Sequence, residues 1–118
     1  MPGGPAVVGL VGCGRWGRNV LRDLCTLGCE VHVVDTRPDG RRRASGATSV
    51  VDDLSSLGPC DGYVVATPAT THAAVVGTLL ERDRPVFVEK PFTTDAAAAA
   101  ALAEAGDGRV FVMEKWRY

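Results

Sequence analysis

The chain has 118 residues, of which 46% are hydrophobic and 23% charged, with a formal net charge of −1 at pH 7. This composition predicts one soluble globular domain over residues 1–118 and gives no indication of a nucleic acid or an acidic membrane surface as a partner. No apolar run approaches the roughly 20 residues of a membrane helix, and the opening segment lacks the basic start and apolar core of a signal peptide.

In the first half of the chain, short apolar runs alternate with helical patterns. Ala6–Val11 is a continuous apolar run, typical of a strand covered on both faces. Gly28 is placed to stop the helix that follows. The predicted elements are a strand over Ala6–Val11, a helix over Arg15–Leu27 with an inner face of Val20, Leu21, Leu24 and Leu27, a strand over Val31–Val34, a loop over Thr36–Gly46, a strand over Ser49–Val51 and one or two helical turns in Asp52–Leu57.

The second half repeats this alternation. The predicted elements are a strand over Gly62–Ala66, a helix over Ala73–Arg82, a strand over Pro85–Val88, a helix over Ala96–Ala105 with Thr93 or Thr94 as its cap, and a strand over Val110–Met113. Strands that alternate with helices favour right-handed crossovers and a parallel sheet. We therefore predict a single doubly wound α/β unit, a Rossmann fold with about six strands.

The turn between the first strand and the first helix has the pattern G-x-G-x-x-G, in the stretch GLVGCGRWGRN. In such a turn Gly12 permits the tight bend, Gly14 lets a pyrophosphate approach the backbone, and Gly17 allows helix and strand to pack closely. The helix N-terminus offers N–H groups and a positive dipole end to the phosphates. We predict that this turn, with Arg15 and Trp16, binds a dinucleotide.

Asp35 follows the second strand, 21 residues after Gly14, where a carboxylate accepts hydrogen bonds from an adenosine ribose. A carboxylate would repel a 2′-phosphate, which favours NAD. Arginine is the side chain that a 2′-phosphate requires, so NADP remains the alternative. A solvated loop is the other interpretation of the arginines, which are Arg37, Arg41, Arg42 and Arg43.

The cysteines Cys13, Cys25, Cys29 and Cys60 form no C-x-x-C pair. Reduced, mostly buried thiols in a cytoplasmic protein are the expected state. Zinc bound by Cys25, Cys29 and His32 is the alternative that we weighed; we predict no metal site.

Three motifs follow one another along the chain: GCGRWG, then ATPATTHAAVV at Ala66–Val76, then VEKP at Val88–Pro91. In this order they resemble the N-terminal half of the Gfo/Idh/MocA oxidoreductases, the glucose–fructose oxidoreductase and inositol dehydrogenase group, and the resemblance extends from about Val7 to Val112. It implies hydride transfer between a nicotinamide cofactor and a hydroxyl of a sugar, nucleotide sugar or cyclitol. The variant of the first motif with Trp16, Gly17 and Asn19 is similar to that of family members which oxidise sugars or nucleotide sugars.

The resemblance also implies site residues near the nicotinamide. Lys90 would contact the cofactor, hydrogen-bond the substrate hydroxyl and help to relay its proton, while Glu89 would hold Lys90 in place. An exposed Glu-Lys pair in a loop is the structural alternative. Thr67, Pro68 and His72 would line the cofactor, although His72 could equally cap or lie near the start of the next helix.

Members of this family continue for roughly twice this length, into a domain with the substrate pocket, the oligomer interface and the principal general base. The chain is therefore expected to be the cofactor domain of a longer, homo-oligomeric enzyme and to be inactive alone. A stand-alone dinucleotide-binding sensor or partner module is the alternative, and a different Rossmann enzyme, such as an imine or biliverdin-type reductase, is a third hypothesis.

Overall fold

The computed structural model describes residues 4–89, 96–106 and 108–113. Its strands are β1 (Val7–Val11), β2 (Glu30–Val34), β3 (Ser49–Val51), β4 (Gly62–Val65), β5 (Val86–Glu89) and β6 (Val110–Met113). Its helices are α1 (Arg15–Thr26), α2 (Pro38–Arg42), α3 (His72–Leu80) and α4 (Ala96–Gly106), with 3-10 turns at Leu54–Ser56 and Ala69–Thr71. In this part of the chain no helix is long and apolar enough to cross a membrane.

All the strand pairings are parallel, and the sheet order is β3-β2-β1-β4-β5-β6. The chain moves outward from β1 through β2 to β3, and then returns to place β4 on the other side of β1. This order is that of a doubly wound nucleotide-binding sheet, in which ligands bind where the strand order reverses. The predicted fold class is confirmed, and the reversal lies between β1 and β4.

Each face of the sheet has its own apolar core. α1 covers one face with Val20, Leu21 and Leu24, and α3 covers the other with Val76, Leu79 and Leu80. One row of side chains crosses the sheet on the α1 face, formed by Val50, Val33, Leu10, Val64, Phe87 and Phe111. The middle of this row is buried, whereas the two rings on β5 and β6, stacked with centroids 5.1 Å apart, are 37% and 46% exposed.

The prediction of a loop over residues 36–46 is wrong, because α2 lies within it. Pro38 occupies the first helical position, where its fixed φ and missing N–H cost nothing. Gly40 is buried, and a Cβ on it would overlap the carboxylate of Asp35. The proline and the glycine that suggested a loop therefore begin a short helix and let it pack closely on β2.

Smaller differences lie at element boundaries. The inward position predicted for Leu27 is wrong, because α1 ends at Thr26 and the Leu27 side chain is 77% exposed. Gly28 follows with φ +86°, as expected of a residue that stops a helix. β5 begins one residue after Pro85 and extends through Glu89. The caps predicted at Thr93 or Thr94 lie outside the described residues.

Arg82, just after α3, links that helix to the connection before β4. Its Nη1 donates to the carbonyl oxygens of Leu57 (2.8 Å) and Gly58 (3.1 Å), and its Nη2 to that of Leu54 (3.1 Å). The guanidinium carbon also lies 5.5 Å from the ring centre of buried Tyr63. One side chain thus donates to three carbonyl groups of this connection, of which that of Leu54 also accepts the Leu57 N–H of its 3-10 turn.

Candidate functional site

A cleft of about 390 Å³ opens at the carboxyl ends of the strands, where the strand order reverses. Parallel strands bring the residues that follow them to the same edge, so the ends of β1, β2, β3 and β4 all contribute. The lining residues are Val11, Gly12, Val34, Asp35, Thr36, Arg37, Asp53, Leu54, Thr67, Pro68, Thr71 and Val75. Its volume falls in the range of small-molecule sites.

The three glycines of the β1–α1 turn have different surroundings. Gly12 has φ +96°, and a Cβ on it would meet the Ala66 backbone at 2.9 Å. A Cβ on Gly17 would overlap the carbonyl oxygen of Gly12, so the helix can approach β1 only with glycine there. At Gly14 the nearest atom to an added Cβ is the Arg37 Nη2, at 3.4 Å. Gly12 and Gly17 are therefore required by the fold, whereas Gly14 leaves space above the turn.

α1 begins directly after Gly14, whose backbone is extended and whose carbonyl oxygen accepts the Arg18 N–H at 2.9 Å. The N–H groups of the first helical turn have no acceptor within a helix and carry its partial positive charge. The first turn of α1 has no acidic side chain to compensate this charge. The turn is thus suited to an anion.

Asp35 links the β1–α1 turn to the β2–α2 turn. Its Oδ2 accepts the Cys13 N–H and its Oδ1 accepts the Arg37 N–H, each at 2.9 Å, and the residue is 5% exposed. Burial raises the pKa of this carboxyl, but the hydrogen bonds from Cys13 and Arg37 outweigh burial and hold the pKa below its ordinary value. Asp35 is therefore an ionised carboxylate that supports the cleft from below.

Arg37 lies over the opening of this cleft. Its Nε is 3.4 Å from Asp35 Oδ1 and its Nη2 is 3.5 Å from Asp35 Oδ2, with 60% of the side chain exposed. Both contacts are near the upper limit of hydrogen-bond distances, and the guanidinium is the solvent-exposed partner of a buried carboxylate. Water or a ligand can therefore supply other partners to the guanidinium when it leaves the carboxylate.

The segment after β4 forms the opposite wall. Thr67 and Pro68 line the cleft, and the Thr71 hydroxyl donates to the Pro68 carbonyl oxygen at 2.6 Å. His72 is the first residue of α3 and is 2% exposed, with its Nε2 2.9 Å from the carbonyl oxygen of Thr67. His72 thus lies at the start of α3, where its ring supports Thr67 from behind; its contact with a cofactor stays a prediction.

Other predicted site residues lie outside the cleft lining. Arg15 is exposed and faces a second groove, and Trp16 packs partly buried against the core beneath α1. Glu89 is the half-buried last residue of β5. Lys90, predicted to be catalytic, and Pro91 lie outside the described residues.

The buried thiol of Cys13 lies inside the glycine turn. Burial raises the pKa of this thiol, and the nearby Asp35 carboxylate raises it further. A protonated, inaccessible thiol is not a nucleophile. All the cysteines are free; Cys13 and Cys60 are buried, and Cys25 and Cys29 are half-buried. Over the described residues there is no cluster of metal-ligating side chains, and His32 instead contacts Ser49 and Glu30.

Sequence reasoning missed several residues of the cleft. Asp53 and Leu54 reach it because β3 ends at the same edge, and Thr71 and Val75 reach it from the beginning of α3. Leu54 and Val75 also pack against the core on the α3 side, so they add apolar surface to a polar site. The predicted ends of β3 and β4 could have identified these residues, because the residues that follow the parallel strands of one sheet lie at the same edge.

Comparison with known families gives one match over most of the chain. Residues 7–112 match the family described as an oxidoreductase family with an NAD-binding Rossmann fold, named GFO_IDH_MocA. An inositol 2-dehydrogenase of Acidothermus cellulolyticus is 36% identical over 116 residues, which cover 89% of this chain and 34% of that protein. The chain thus spans about a third of the length of the curated relatives that it matches.

Solved structures of dehydrogenases superpose on most of the chain. The WlbA dehydrogenase of Bordetella pertussis, in complex with NADH and UDP-GlcNAcA, superposes with a TM-score of 0.82 at 29% identity, covering 93% of this chain and 37% of that one. A myo-inositol dehydrogenase of Corynebacterium glutamicum gives a TM-score of 0.79 at 25% identity, covering 92% and 35%.

Proposed function

The chain belongs to the Gfo/Idh/MocA oxidoreductases with an NAD-binding Rossmann fold, and from this we propose that it is the cofactor-binding domain of an NAD-dependent sugar or cyclitol dehydrogenase. The observation that carries the proposal is the cleft at the strand reversal with its ionised carboxylate, flanked by the β1–α1 turn with its open Gly14 and uncompensated helix N-terminus. In the proposed complex each of these groups binds a different part of the dinucleotide.

The pyrophosphate would lie over Gly14, against the first turn of α1. It would accept hydrogen bonds from the backbone N–H groups of that turn, which are charge-assisted and stronger than neutral ones. The Arg37 guanidinium, already 3.4 Å from the position of a Gly14 Cβ, is close enough to add a positive charge. Arg15 and Trp16 would contribute through their backbone at the same turn.

The adenosine ribose would lie on Asp35. A carboxylate has about four lone-pair positions, and the two backbone N–H groups use only two of them. Ribose hydroxyls would take the others as Arg37 moves aside. A 2′-phosphate would come close to this buried negative charge, so we expect NADH to bind more tightly than NADPH.

Thr67 and Pro68 would hold the nicotinamide end of the cofactor. When bound, the cofactor would supply the hydride acceptor for oxidation of the substrate hydroxyl to a carbonyl. We propose, from the resemblance, that Lys90 hydrogen-bonds this hydroxyl and helps to relay the proton, with Glu89 as its positioning partner. His72 would act indirectly, through the Thr67 carbonyl.

The relatives support a proposal for the substrate class. One is named an inositol 2-dehydrogenase, and one structure was solved with NADH and UDP-GlcNAcA. We propose a cyclitol or sugar hydroxyl as the substrate, in a homo-oligomeric enzyme of which this domain is a part. Four free thiols are typical of a reducing compartment, so we propose the cytoplasm. Residues 1–118 assayed alone with myo-inositol and NAD are expected to bind cofactor without turnover.

The test is a fluorescence titration of residues 1–118 with NADH, comparing the parent with Gly14→Val. The valine has space in the free protein, so it should fold normally while its side chain blocks the pyrophosphate. Losing two charge-assisted hydrogen bonds, each about 1.5–3 kcal/mol, weakens binding on the order of 100-fold or more.

Gly58→Val is the matched control, because nothing lies within 4 Å of a Cβ there and the residue belongs neither to the β1–α1 turn nor to the cleft lining. It should bind NADH like the parent. Circular dichroism and thermal unfolding verify that both variants are folded. Equal NADH affinity in the parent and in folded Gly14→Val would show that the assignment of the pyrophosphate site is wrong.

A further inference from the structure

A second concave surface lies on the other side of α1, between this helix and the segment that follows α2. Its volume is about 820 Å³, and it shares no lining residue with the cofactor cleft. We call it the arginine groove; its lining is Arg15, Arg18, Asn19, Arg22, Cys25, Thr26, Arg43, Ser45 and Gly46. The groove is fixed in shape on one side, because Ala44 is buried in the α1 core and the Cys25 thiol contacts the Gly46 carbonyl oxygen at 3.5 Å.

The charge of this lining is strongly positive. Of the residues that the structure describes, the lining includes four arginines and no carboxylate. Arg22 has Asp23 beside it, with Nε 3.6 Å from Oδ1, but Arg15, Arg18 and Arg43 form no ion pair with any residue that the structure describes. The neighbouring arginines of α2 differ, because Arg42 pairs with Asp39 and Arg41 donates to the Asp35 carbonyl oxygen. Three guanidinium groups without an ion partner among the described residues are therefore concentrated in the groove.

Their spacing defines the ligand. Arg18 and Arg22 lie three and seven residues after Arg15 on α1, which is about 4.5 and 10.5 Å from it along the helix axis. One phosphate reaches at most part of that length. Among the described residues that line the groove, no aromatic side chain is available to stack a base, and no large aliphatic side chain forms a pocket for a peptide. The lining therefore favours a compact ligand with several charged oxygens and no apolar part.

We propose that the arginine groove is a second ligand site, for a small polyanion that carries two or more phosphoryl groups. Arginine suits such a ligand because its planar guanidinium binds phosphoryl oxygens in a bidentate manner. Asn19 and Ser45 would donate to the remaining oxygens. The inference is independent of the proposed function, since none of these side chains lines the dinucleotide cleft.

The test is calorimetric titration of the protein with inorganic triphosphate, with and without saturating NADH. We expect one binding site that persists with NADH present and weakens as salt is raised. The double variant Arg18→Gln/Arg43→Gln should lose on the order of tenfold in affinity per arginine, because each removes hydrogen bonds to a charged group. Both positions are exposed, so the fold should be retained.

Arg84→Gln is the charge-matched control, since Arg84 is exposed and lies outside the groove. An equal loss of affinity in this variant would overturn the proposal, as would displacement of triphosphate by NADH, which would assign the binding to the cofactor cleft. Absence of triphosphate binding would also overturn the proposal. Binding of a polyglutamate peptide in its place would indicate a contact with a protein. If NADH does not bind, the proposed cofactor function fails. The triphosphate titration without NADH, and its dependence on Arg18 and Arg43, still tests the groove.

Discussion

Replacing Asp35 with asparagine should destabilise the fold as well as weaken cofactor binding. In the parent, each carboxylate oxygen accepts one backbone N–H at 2.9 Å, from Cys13 and from Arg37. Asparagine has one acceptor oxygen and one NH₂ group. Whichever way the amide is turned, its NH₂ faces a backbone donor within a site that is 5% exposed.

The cost has two parts. A hydrogen bond to a charged acceptor contributes about 1.5–3 kcal/mol, and a buried donor left unsatisfied costs about 1–3 kcal/mol. Relief of the buried charge offsets some of this, so we expect a loss of about 2–4 kcal/mol in the free energy of unfolding. At roughly 4 °C per kcal/mol for a domain of this size, the melting temperature should fall by about 8–16 °C.

The assay is urea unfolding at several pH values, with the slope of free energy against urea expected to stay constant. The pKa of Asp35 is lowered in the folded state, so the stabilisation from its charge is present above the ordinary aspartate pKa of about 3.9. It is lost as the pH falls through the folded-state value. The difference in the free energy of unfolding between the parent and Asp35→Asn should thus be largest at pH 7 and decrease below about pH 4.

Asp39→Asn is the matched control. Asp39 is 66% exposed in its side chain and pairs with Arg42 on the surface, so its replacement should change stability by well under 1 kcal/mol. A difference between parent and Asp35→Asn below about 0.5 kcal/mol at pH 7, or one that grows as the pH falls to 3, would refute the reasoning.

Three further changes are expected to have distinct effects. Gly40→Ala places a methyl group on the Asp35 carboxylate and should cost about 2–4 kcal/mol in urea unfolding, but less in an Asp35→Ala background, because the two residues interact directly; additive costs would contradict this. Arg82→Lys loses the planar fork that reaches three carbonyl groups and should cost about 2 kcal/mol while NADH affinity stays within twofold; an unchanged stability would contradict it. Where residues 1–118 form part of a longer enzyme, Lys90→Ala should lower kcat on the order of 10²–10⁴-fold with little change in cofactor affinity, and an unchanged rate would leave VEKP as a turn with a surface ion pair.

The fold was largely predictable because each strand is marked by a short apolar run and the first βα turn by its glycines. α2 was missed because Pro38 and Gly40 are ordinary loop residues when neighbours are ignored. Their effect depends on position: proline is favourable at the first helical residue, and glycine is needed where a helix meets a buried side chain. Leu27 was placed inward by periodicity alone, although the helix ends one residue earlier.

The site was predictable in location but less so in detail. The glycine pattern and Asp35 indicated the edge of the sheet at which the structure has its cleft, and their contacts with a cofactor stay a prediction. That the Asp35 carboxylate bonds the Cys13 and Arg37 backbones depends on two turns meeting in space, which spacing along the chain does not reveal. The same holds for His72, because only the structure brings its ring to the Thr67 carbonyl group.

The sheet order also has a consequence for the way in which this chain folds. β1 is made first during synthesis, yet it becomes an inner strand that pairs with β2 on one side and β4 on the other. The β1-β2-β3 half can assemble from neighbouring segments, whereas β4 must close a loop of about fifty residues before it pairs, a step that is slow in parallel sheets. Until then the free edge of β1 is exposed to other chains. We expect refolding yield to fall with protein concentration more steeply than native stability alone would suggest.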